Sequence, residues 1–131
     1  AGFGATAQID QDLVEWNYGD YEGRRTAEIL KDRPGWKLFN DGCPGGESPA
    51  DVGARADRVV ARVLPVLQSG DVAVVSHGHF LRVLAARWLG LPAAQGALLA
   101  LDTGSVSALG FEHAQPVVRL WNDQPSTRTS R

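Results

Sequence analysis

Two histidines separated by one glycine follow a short apolar run in the second half of the sequence. The run, residues 71–76, reads DVAVVS, and His77, Gly78 and His79 come directly after it. A run this short, nearly all apolar and rich in valine, predicts a strand that is buried on both faces of a parallel sheet. The residues FLRVLAARWLG that follow predict a helix that begins at residue 79 or 80 and ends at residue 89.

The junction between this strand and this helix has the features of a phosphate site. Ligands of open α/β sheets lie beyond the carboxyl ends of the strands, where helix N-termini present free N–H groups to anions. His77 adds an imidazole there, and Gly78 allows close approach of the backbone. Two simpler interpretations stay open: His77 can cap the helix, or His77 and His79 can be two ligands of a metal-dependent hydrolase. No spacing in the sequence identifies further metal ligands.

A loop earlier in the chain supplies an acidic group. Residues 15–23 read EWNYGDYEG, in which Glu15 and Tyr18 are the residues with useful chemistry. A carboxyl group in a partly dry pocket can donate and accept protons, and a phenol can line such a pocket. In isolation, Glu15 would be read as an exposed loop residue and Tyr18 as aromatic packing.

The remaining patterns predict elements that position these residues. A short strand or extended segment is expected over residues 8–14, and a helix with Thr26 as its N-cap runs to residue 33. The turn-rich stretch DGCPGGES precedes a long helix, residues 48–70, and we expect its Glu47 and Ser48 to border a ligand and set specificity. Ser48 is also the predicted N-cap of that helix. Its apolar face should pack on a sheet, with the arginines at 55, 58 and 62 on the solvated face.

The end of the chain predicts a hairpin and then a tail. Residues 105–111 and 117–121 are the strands of the hairpin. Residues 1–122 then form one α/β domain, with a mostly parallel sheet and an antiparallel edge, and the polar residues 123–131 are expected to be disordered.

Composition excludes several classes of protein. Thirteen basic and fifteen acidic residues give a net charge of −2, which offers no broad footprint for nucleic acid or an anionic membrane. The single cysteine, Cys43, cannot form an internal disulfide, so a reducing, cytoplasmic location is expected, and Cys43 has no base paired with it that would make it a nucleophile. Four tryptophans are explained by core packing, with a homodimer interface as the alternative.

Three motifs in order resemble one family. The segments LVEWNYGDYEG, GGES and VVSHGHFLRVLAARWLGL resemble the later part of the histidine phosphatases, the phosphoglycerate mutase-like superfamily that includes many acid phosphatases. The resemblance extends from about Asp12 to Asn122. It implies a three-layer sandwich in which helices flank a mostly parallel sheet.

The resemblance also implies a role for each site residue. Glu15 matches the proton donor and acceptor, and His77 matches the second, non-nucleophilic histidine that holds the transferring phosphoryl group. Tyr18, Gly78 and His79 match positions that line the phosphate or substrate. Mutases of the family often have asparagine where His79 stands, so the phosphatase branch is favoured. A small phosphorylated metabolite is the expected ligand, with no cofactor.

The family's first motif is missing from the sequence. Histidine phosphatases carry the nucleophilic histidine in an Arg-His-Gly triplet after their first strand, and this sequence has neither that triplet nor a methionine. We therefore expect a preceding segment in the parent protein, and we expect no turnover by this chain alone. Phosphomonoester hydrolysis through a phosphohistidine is the predicted function; phosphoglycerate mutase activity and a non-catalytic phosphate-binding role are the alternatives.

Overall fold

The computed structural model describes residues 7–124, which form a mixed α/β structure. The helices are α1 (Thr26–Asp32), α2 (Leu38–Asp41), α3 (Pro49–Leu67) and α4 (Gly78–Trp88). The strands are β1 (Val106–Glu112) and β2 (Gln115–Asp123). Short 3₁₀ helices cover Gln11–Leu13, Gly19–Tyr21 and Ala93–Leu98.

Helix α3 begins where its capping residues predict. The Ser48 hydroxyl accepts a hydrogen bond from the Asp51 N–H at 3.1 Å, and the Asp51 carboxylate accepts one from the Ser48 N–H at 3.0 Å. Pro49 occupies the first helical position, where its missing N–H costs no hydrogen bond. The shorter helix α1 begins one residue earlier than predicted, because Arg25 and not Thr26 is its N-cap.

The core lies between helices α3 and α4. Val52 and Val59 of α3 are buried in one cluster with Phe80 and Val83 of α4, and Trp16 joins them from the loop before α1. Full burial of side chains of this size stabilises a fold by about 1.5 to 3 kcal/mol each. In the described residues, the apolar face of α3 therefore packs on helix α4, and the predicted packing on a sheet is not seen.

The predicted hairpin is present and is attached to α4. Strands β1 and β2 pair antiparallel and are joined by a tight turn in which His113 has a φ of 57°. The Trp88 indole N–H donates to the Gly110 carbonyl at 3.2 Å, and its ring packs on Phe111. Strand β2 continues to Asp123, one residue into the predicted tail, and residues 125–131 lie outside the described residues.

Residues 71–76 are not part of a sheet among the described residues. The sheet of residues 7–124 contains β1 and β2 alone, so the predicted parallel sheet is not seen. Burial alternates along residues 71–77, and Val75 is 87% exposed. This alternation has the period of a strand, but a strand is defined by a hydrogen-bonded neighbour, and the described residues supply none.

Residues 8–14 do not form the predicted strand. They contain the 3₁₀ helix Gln11–Leu13, which starts where the Asp10 carboxylate accepts a hydrogen bond from the Asp12 N–H at 2.9 Å. Arg58 of α3 binds the Asp12 carboxylate, and Arg62 binds the carboxylates of both Asp10 and Asp12, at distances of 2.7 to 3.1 Å. Side-chain caps and ion pairs thus hold this segment as a turn.

Candidate active site

The loop that carries Glu15 is locked to the glycine-rich loop before α3. The Glu47 N–H donates to the Asn17 carbonyl at 2.8 Å, which joins residues 15–22 to residues 41–48. A Cβ atom at Gly46 would lie 2.3 Å from the Asn17 carbonyl oxygen, closer than any side chain tolerates. The glycine is therefore required by backbone contact between the two loops.

The Arg55 side chain of α3 binds both of these loops. Its guanidinium binds both carboxylate oxygens of Glu47, at 2.8 and 2.9 Å. It also donates to the carbonyls of Asp12, Val14 and Glu15, at 2.7, 2.9 and 3.3 Å. A single buried side chain thereby fixes the backbone of residues 12–15, the segment that ends at Glu15.

The position of Arg55 corrects the prediction that it lies on the solvated face of α3. Arg55 is 8% exposed, whereas the side chains of Arg58 and Arg62 are 54% and 46% exposed. At about 100° per residue, position 55 falls within roughly 60° of both Val52 and Val59, on the buried face. The helical spacing alone therefore places Arg55 on the buried face, whereas the prediction followed the charge of its side chain.

The Glu15 carboxylate is bound to the N-terminus of α4. One oxygen, Oε1, accepts hydrogen bonds from the N–H groups of Trp16 and Phe80, both at 2.8 Å. The other, Oε2, accepts one from the His79 N–H at 3.1 Å. These are the free N–H groups with which a helix N-terminus binds anions, so Glu15 lies at the anion-binding end of α4.

Tyr18 and His79 meet beside this carboxylate. The Tyr18 hydroxyl and Nδ1 of His79 share a hydrogen bond of 2.5 Å, and Nδ1 lies 3.9 Å from Oε2 of Glu15. Burial, reinforced by the negative charge of Glu15, raises the pKa of Tyr18. Burial also lowers the pKa of His79, although the Glu15 charge opposes that shift. Both partners therefore favour their neutral forms near neutral pH.

His77 and Gly78 lie at the same end of α4. His77 is the N-cap, with an extended backbone, and its carbonyl accepts from the Leu81 N–H at 2.9 Å. His77 is exposed, and a Cβ atom added to Gly78 would have no other atom within 4 Å. Open space therefore adjoins the imidazole of His77 and the first N–H groups of the helix.

The two predicted specificity residues have structural partners. The Glu47 carboxylate is held by Arg55 and by the Asn17 N–H at 2.9 Å, and the Ser48 hydroxyl caps α3. Burial raises the pKa of Glu47, but the bonds from Arg55 and Asn17 outweigh it and lower the pKa overall. In this arrangement, both side chains serve the loop and the helix start.

Neither a metal cluster nor a membrane helix is found in residues 7–124. No three His, Cys, Asp or Glu side chains of this range group together in a way that could hold a metal ion. No helix of the same range combines the length and the apolar character that a membrane crossing requires.

Comparison with known proteins gives the family. The sequence profile of the histidine phosphatase superfamily (branch 1) matches residues 1–124. The chain belongs to this superfamily. The segments that resemble motifs of this superfamily contribute Glu15, Tyr18, His77 and His79 to one end of α4.

Individual relatives of this histidine phosphatase chain include phosphatases. An acid phosphatase of Mycobacterium tuberculosis is 48% identical over 101 residues, which are 77% of this chain and 50% of that protein. The sedoheptulose 1,7-bisphosphatase of Saccharomyces cerevisiae is 40% identical over 99 residues, 63% of this chain and 36% of that protein. Other relatives are named as phosphatases or as a phosphoglycerate mutase.

The fold is shared with a solved structure from Mycobacterium tuberculosis. The product of one of its open reading frames superposes with a TM-score of 0.87 at 42% identity, over 89% of this chain and 61% of that one. The chain thus spans about half the length of the acid phosphatase and under two thirds of the solved structure.

Proposed function

We propose that this chain is the later part of an enzyme that hydrolyses phosphomonoesters through a phosphohistidine, without a metal or another cofactor. The nucleophilic histidine belongs to an Arg-His-Gly segment outside this sequence. The observation that carries the proposal is the Glu15 carboxylate at the N-terminus of α4, beside His77 and the Tyr18–His79 pair. A proton-transferring group and an anion-binding helix end are thereby in one place.

The reaction has two steps, both of which use Glu15. In the first, the histidine nitrogen attacks phosphorus, the bond from phosphorus to the substrate oxygen breaks, and protonated Glu15 gives its proton to the leaving alcohol. In the second, water attacks the phosphohistidine, the P–N bond breaks, and the Glu15 carboxylate takes the proton of the water. The products are the alcohol and inorganic phosphate.

The contacts of Glu15 indicate which of its oxygens carries the proton. Oε1 accepts two N–H hydrogen bonds at 2.8 Å, whereas Oε2 accepts one at 3.1 Å. An oxygen with fewer donors loses less when it is protonated, so Oε2 is assigned the mobile proton. His77 and the Gly78 N–H bind the phosphoryl oxygens on which charge develops.

The exposed edge at residues 71–76 is where the missing segment docks. A strand that carries the Arg-His-Gly triplet would pair with this edge and cover Val75. Its carboxyl end would then lie beside His77, which brings the nucleophile to the open end of α4. The added strand would also create the parallel sheet and the three-layer sandwich.

Hydrolysis is preferred over the two alternatives for the following reasons. The acid phosphatase is 48% identical to this chain, while the relative named as a mutase is 29% identical. A non-catalytic phosphate-binding protein would not need a carboxylate beside the phosphate. The buried free thiol of Cys43 is in accord with a reducing, cytoplasmic location.

Glu15→Gln in the protein with its nucleophile segment tests the proposal. Hydrolysis of an alkyl phosphate should fall by about a hundredfold or more, because the alcohol leaves poorly without a proton. With p-nitrophenyl phosphate, whose leaving group needs no proton, the variant should accumulate acid-labile phosphohistidine, because the water step still needs a base. Rapid-quench labelling with ³²P measures that intermediate.

Glu112→Gln is the matched control, because Glu112 is an exposed glutamate of β1, a strand that packs on Trp88 at the opposite, C-terminal end of α4. It should behave as the wild type does. Normal alkyl phosphate turnover by Glu15→Gln would exclude Glu15 as the acid. An intact parent protein that forms no phosphohistidine would favour the binding role.

A further inference from the structure

Helix α4 carries a second side chain, Arg82, that is connected to the candidate site through an aromatic ring. His79 and Arg82 lie about one turn apart on the same face of the helix. The Phe39 ring of α2 contacts both side chains. Its centre is 5.6 Å from the centre of the His79 ring, which it meets edge to face, and 4.6 Å from Cζ of Arg82. Phe39 therefore links a site residue to a cation that the proposed reaction does not use.

The Arg82 guanidinium is fixed in place by the 3₁₀ helix Ala93–Leu98. Its Nε donates to the Gly96 carbonyl and its Nη2 to the Ala97 carbonyl, both at 3.0 Å. A Cβ atom at Gly96 would lie 3.0 Å from Cε1 of Phe39 and 3.1 Å from the Arg82 carbonyl oxygen, which is closer than side chains normally pack. The close packing of these segments therefore sets where the guanidinium lies relative to His79.

The charge of Arg82 has no carboxylate partner in residues 7–124. The partners of its guanidinium there are the two carbonyls and the Phe39 ring. Burial lowers the pKa of Arg82, but an arginine stays charged at neutral pH. The other arginines of α3 and α4 each bind a carboxylate; they are Arg55, Arg58, Arg62 and Arg87. A positive charge that no carboxylate offsets acts on the ionisable groups near it.

His79 lies among ionisable groups from several segments. They are Glu15, Tyr18 and Arg82, together with Glu22, Arg24, Lys37 and Cys43 of the adjacent cavity. Burial lowers the pKa of His79, the charge of Glu15 raises it, and the charge of Arg82 lowers it. Arg82 thus opposes the effect of Glu15 on the imidazole, and the neutral imidazole is favoured.

The charge of His79 matters because of the carboxylate beside it. An imidazolium would have Nδ1 at 3.9 Å from Oε2 of Glu15, the oxygen that is assigned the mobile proton. At that distance it would hold the carboxylate in its charged form, and a charged carboxylate has no proton to give to a leaving alcohol.

We propose that Arg82 is a positioning residue that keeps His79 uncharged, so that Glu15 can carry the proton of the reaction. The Phe39 ring holds the imidazole and the guanidinium in a fixed relation to each other. Arg82 itself touches neither substrate nor Glu15. This inference rests on the proposed function, since it concerns the proton that Glu15 transfers in that reaction.

The first measurement is an NMR titration of His79 in the protein with its nucleophile segment. Arg82→Gln removes the charge but keeps an amide donor, whereas Arg82→Lys keeps the charge. Arg82→Gln should raise the pKa of His79, and Arg82→Lys should leave it close to that of the wild type. The two groups are at most about 10 Å apart, so loss of the charge should increase the ratio of imidazolium to neutral imidazole by roughly two- to fifteenfold at a given pH.

The second measurement is the ratio of kcat/KM for an alkyl phosphate to kcat/KM for p-nitrophenyl phosphate, whose leaving group needs no proton. Imidazolium is present below the pKa of His79 and is lost as the pH rises through it. At about pH 6, Arg82→Gln should therefore lower this ratio by about twofold or more. The difference from the wild type should disappear by about pH 8, where His79 is neutral in both proteins.

Arg87→Gln is the matched control, because Arg87 is on the same helix but binds Asp57, and it should change neither measurement. Arg82→Met, which keeps an apolar chain against Phe39, is the second neutral variant if Arg82→Gln does not fold. If His79 of the neutral variant titrates as in the wild type, or if both substrates lose turnover equally at every pH, Arg82 only supports the fold and the inference is wrong. If the wild type hydrolyses no phosphate ester, the proposed function fails, whereas the NMR titration still decides whether Arg82 keeps His79 neutral.

Discussion

Replacement of Arg55 by methionine should destabilise the protein more than any other single change of an arginine on α3. Methionine keeps much of the length and apolar volume of the side chain but removes every donor. The Glu47 carboxylate then loses both bonds from Arg55, and the carbonyls of Asp12 and Val14 lose theirs. A buried charge left without its partner costs about 3 to 5 kcal/mol.

The environment of Glu47 places the expected loss near the lower end of that range. The Glu47 side chain is 18% exposed, so water can replace part of what Arg55 supplied. Each orphaned carbonyl adds on the order of 1 kcal/mol where water does not reach it. We therefore expect the free energy of unfolding to fall by about 3 kcal/mol.

Urea unfolding of four proteins measures this loss: the wild type, Arg55→Met, Glu47→Gln and the double variant. The two single changes should couple by about 1 to 3 kcal/mol, since each removes the partner of the other. Arg58→Met is the matched control on the same helix, and its effect should be much smaller because its ion pair with Asp12 is exposed. If Arg55→Met lowers the free energy of unfolding no more than Arg58→Met does, then Arg55 does not stabilise the two loops as described.

Three further outcomes follow from the same structure. Ser48→Ala should lower the free energy of unfolding by about 1 kcal/mol, measured by urea denaturation, because the N-cap of α3 is lost. The hydrogen bonds from Arg58 hold the pKa of Asp12 at about 2, below its ordinary 3.8, so the stability that Asp12 contributes is present above pH 3.8 and lost as the pH falls toward 2. The free energy of unfolding of Asp12→Asn, measured across that pH range, should fall less at low pH than that of the wild type. In an NMR titration, Glu15→Gln should lower the pKa of His79 further, because the Glu15 charge raises it; a rise would contradict the placement of the two groups.

Local patterns were enough to predict α1, α3, α4 and the hairpin, but not the four-residue helix α2. The start of α3 depends on Ser48, Pro49 and Asp51, which are adjacent in sequence, and α4 follows directly from His77. The order of the three motifs also identified the family, which the sequence profile confirms. In each case, the information lies within a few residues of the element or in a motif that is itself continuous.

Features that depend on distant residues could not be predicted in the same way. Whether residues 71–76 form a strand depends on a neighbour that the described residues do not include. The role of Arg55 depends on carbonyl groups some 40 residues earlier in the chain. Likewise, the bonds of Glu15 to α4 join residues that are more than 60 positions apart, and only the family resemblance pointed to that meeting.

The open edge at Val75 affects how the chain behaves in solution as an isolated polypeptide. Backbone groups that have no neighbouring strand, beside an exposed apolar side chain, are a template on which a second copy can add a strand, and such addition leads to aggregates. A preparation of this chain by itself should therefore aggregate as it is concentrated, which a turbidity measurement would detect. Substitution of Val75 by lysine, the residue that natural sheets place on bare edges, should keep it clear.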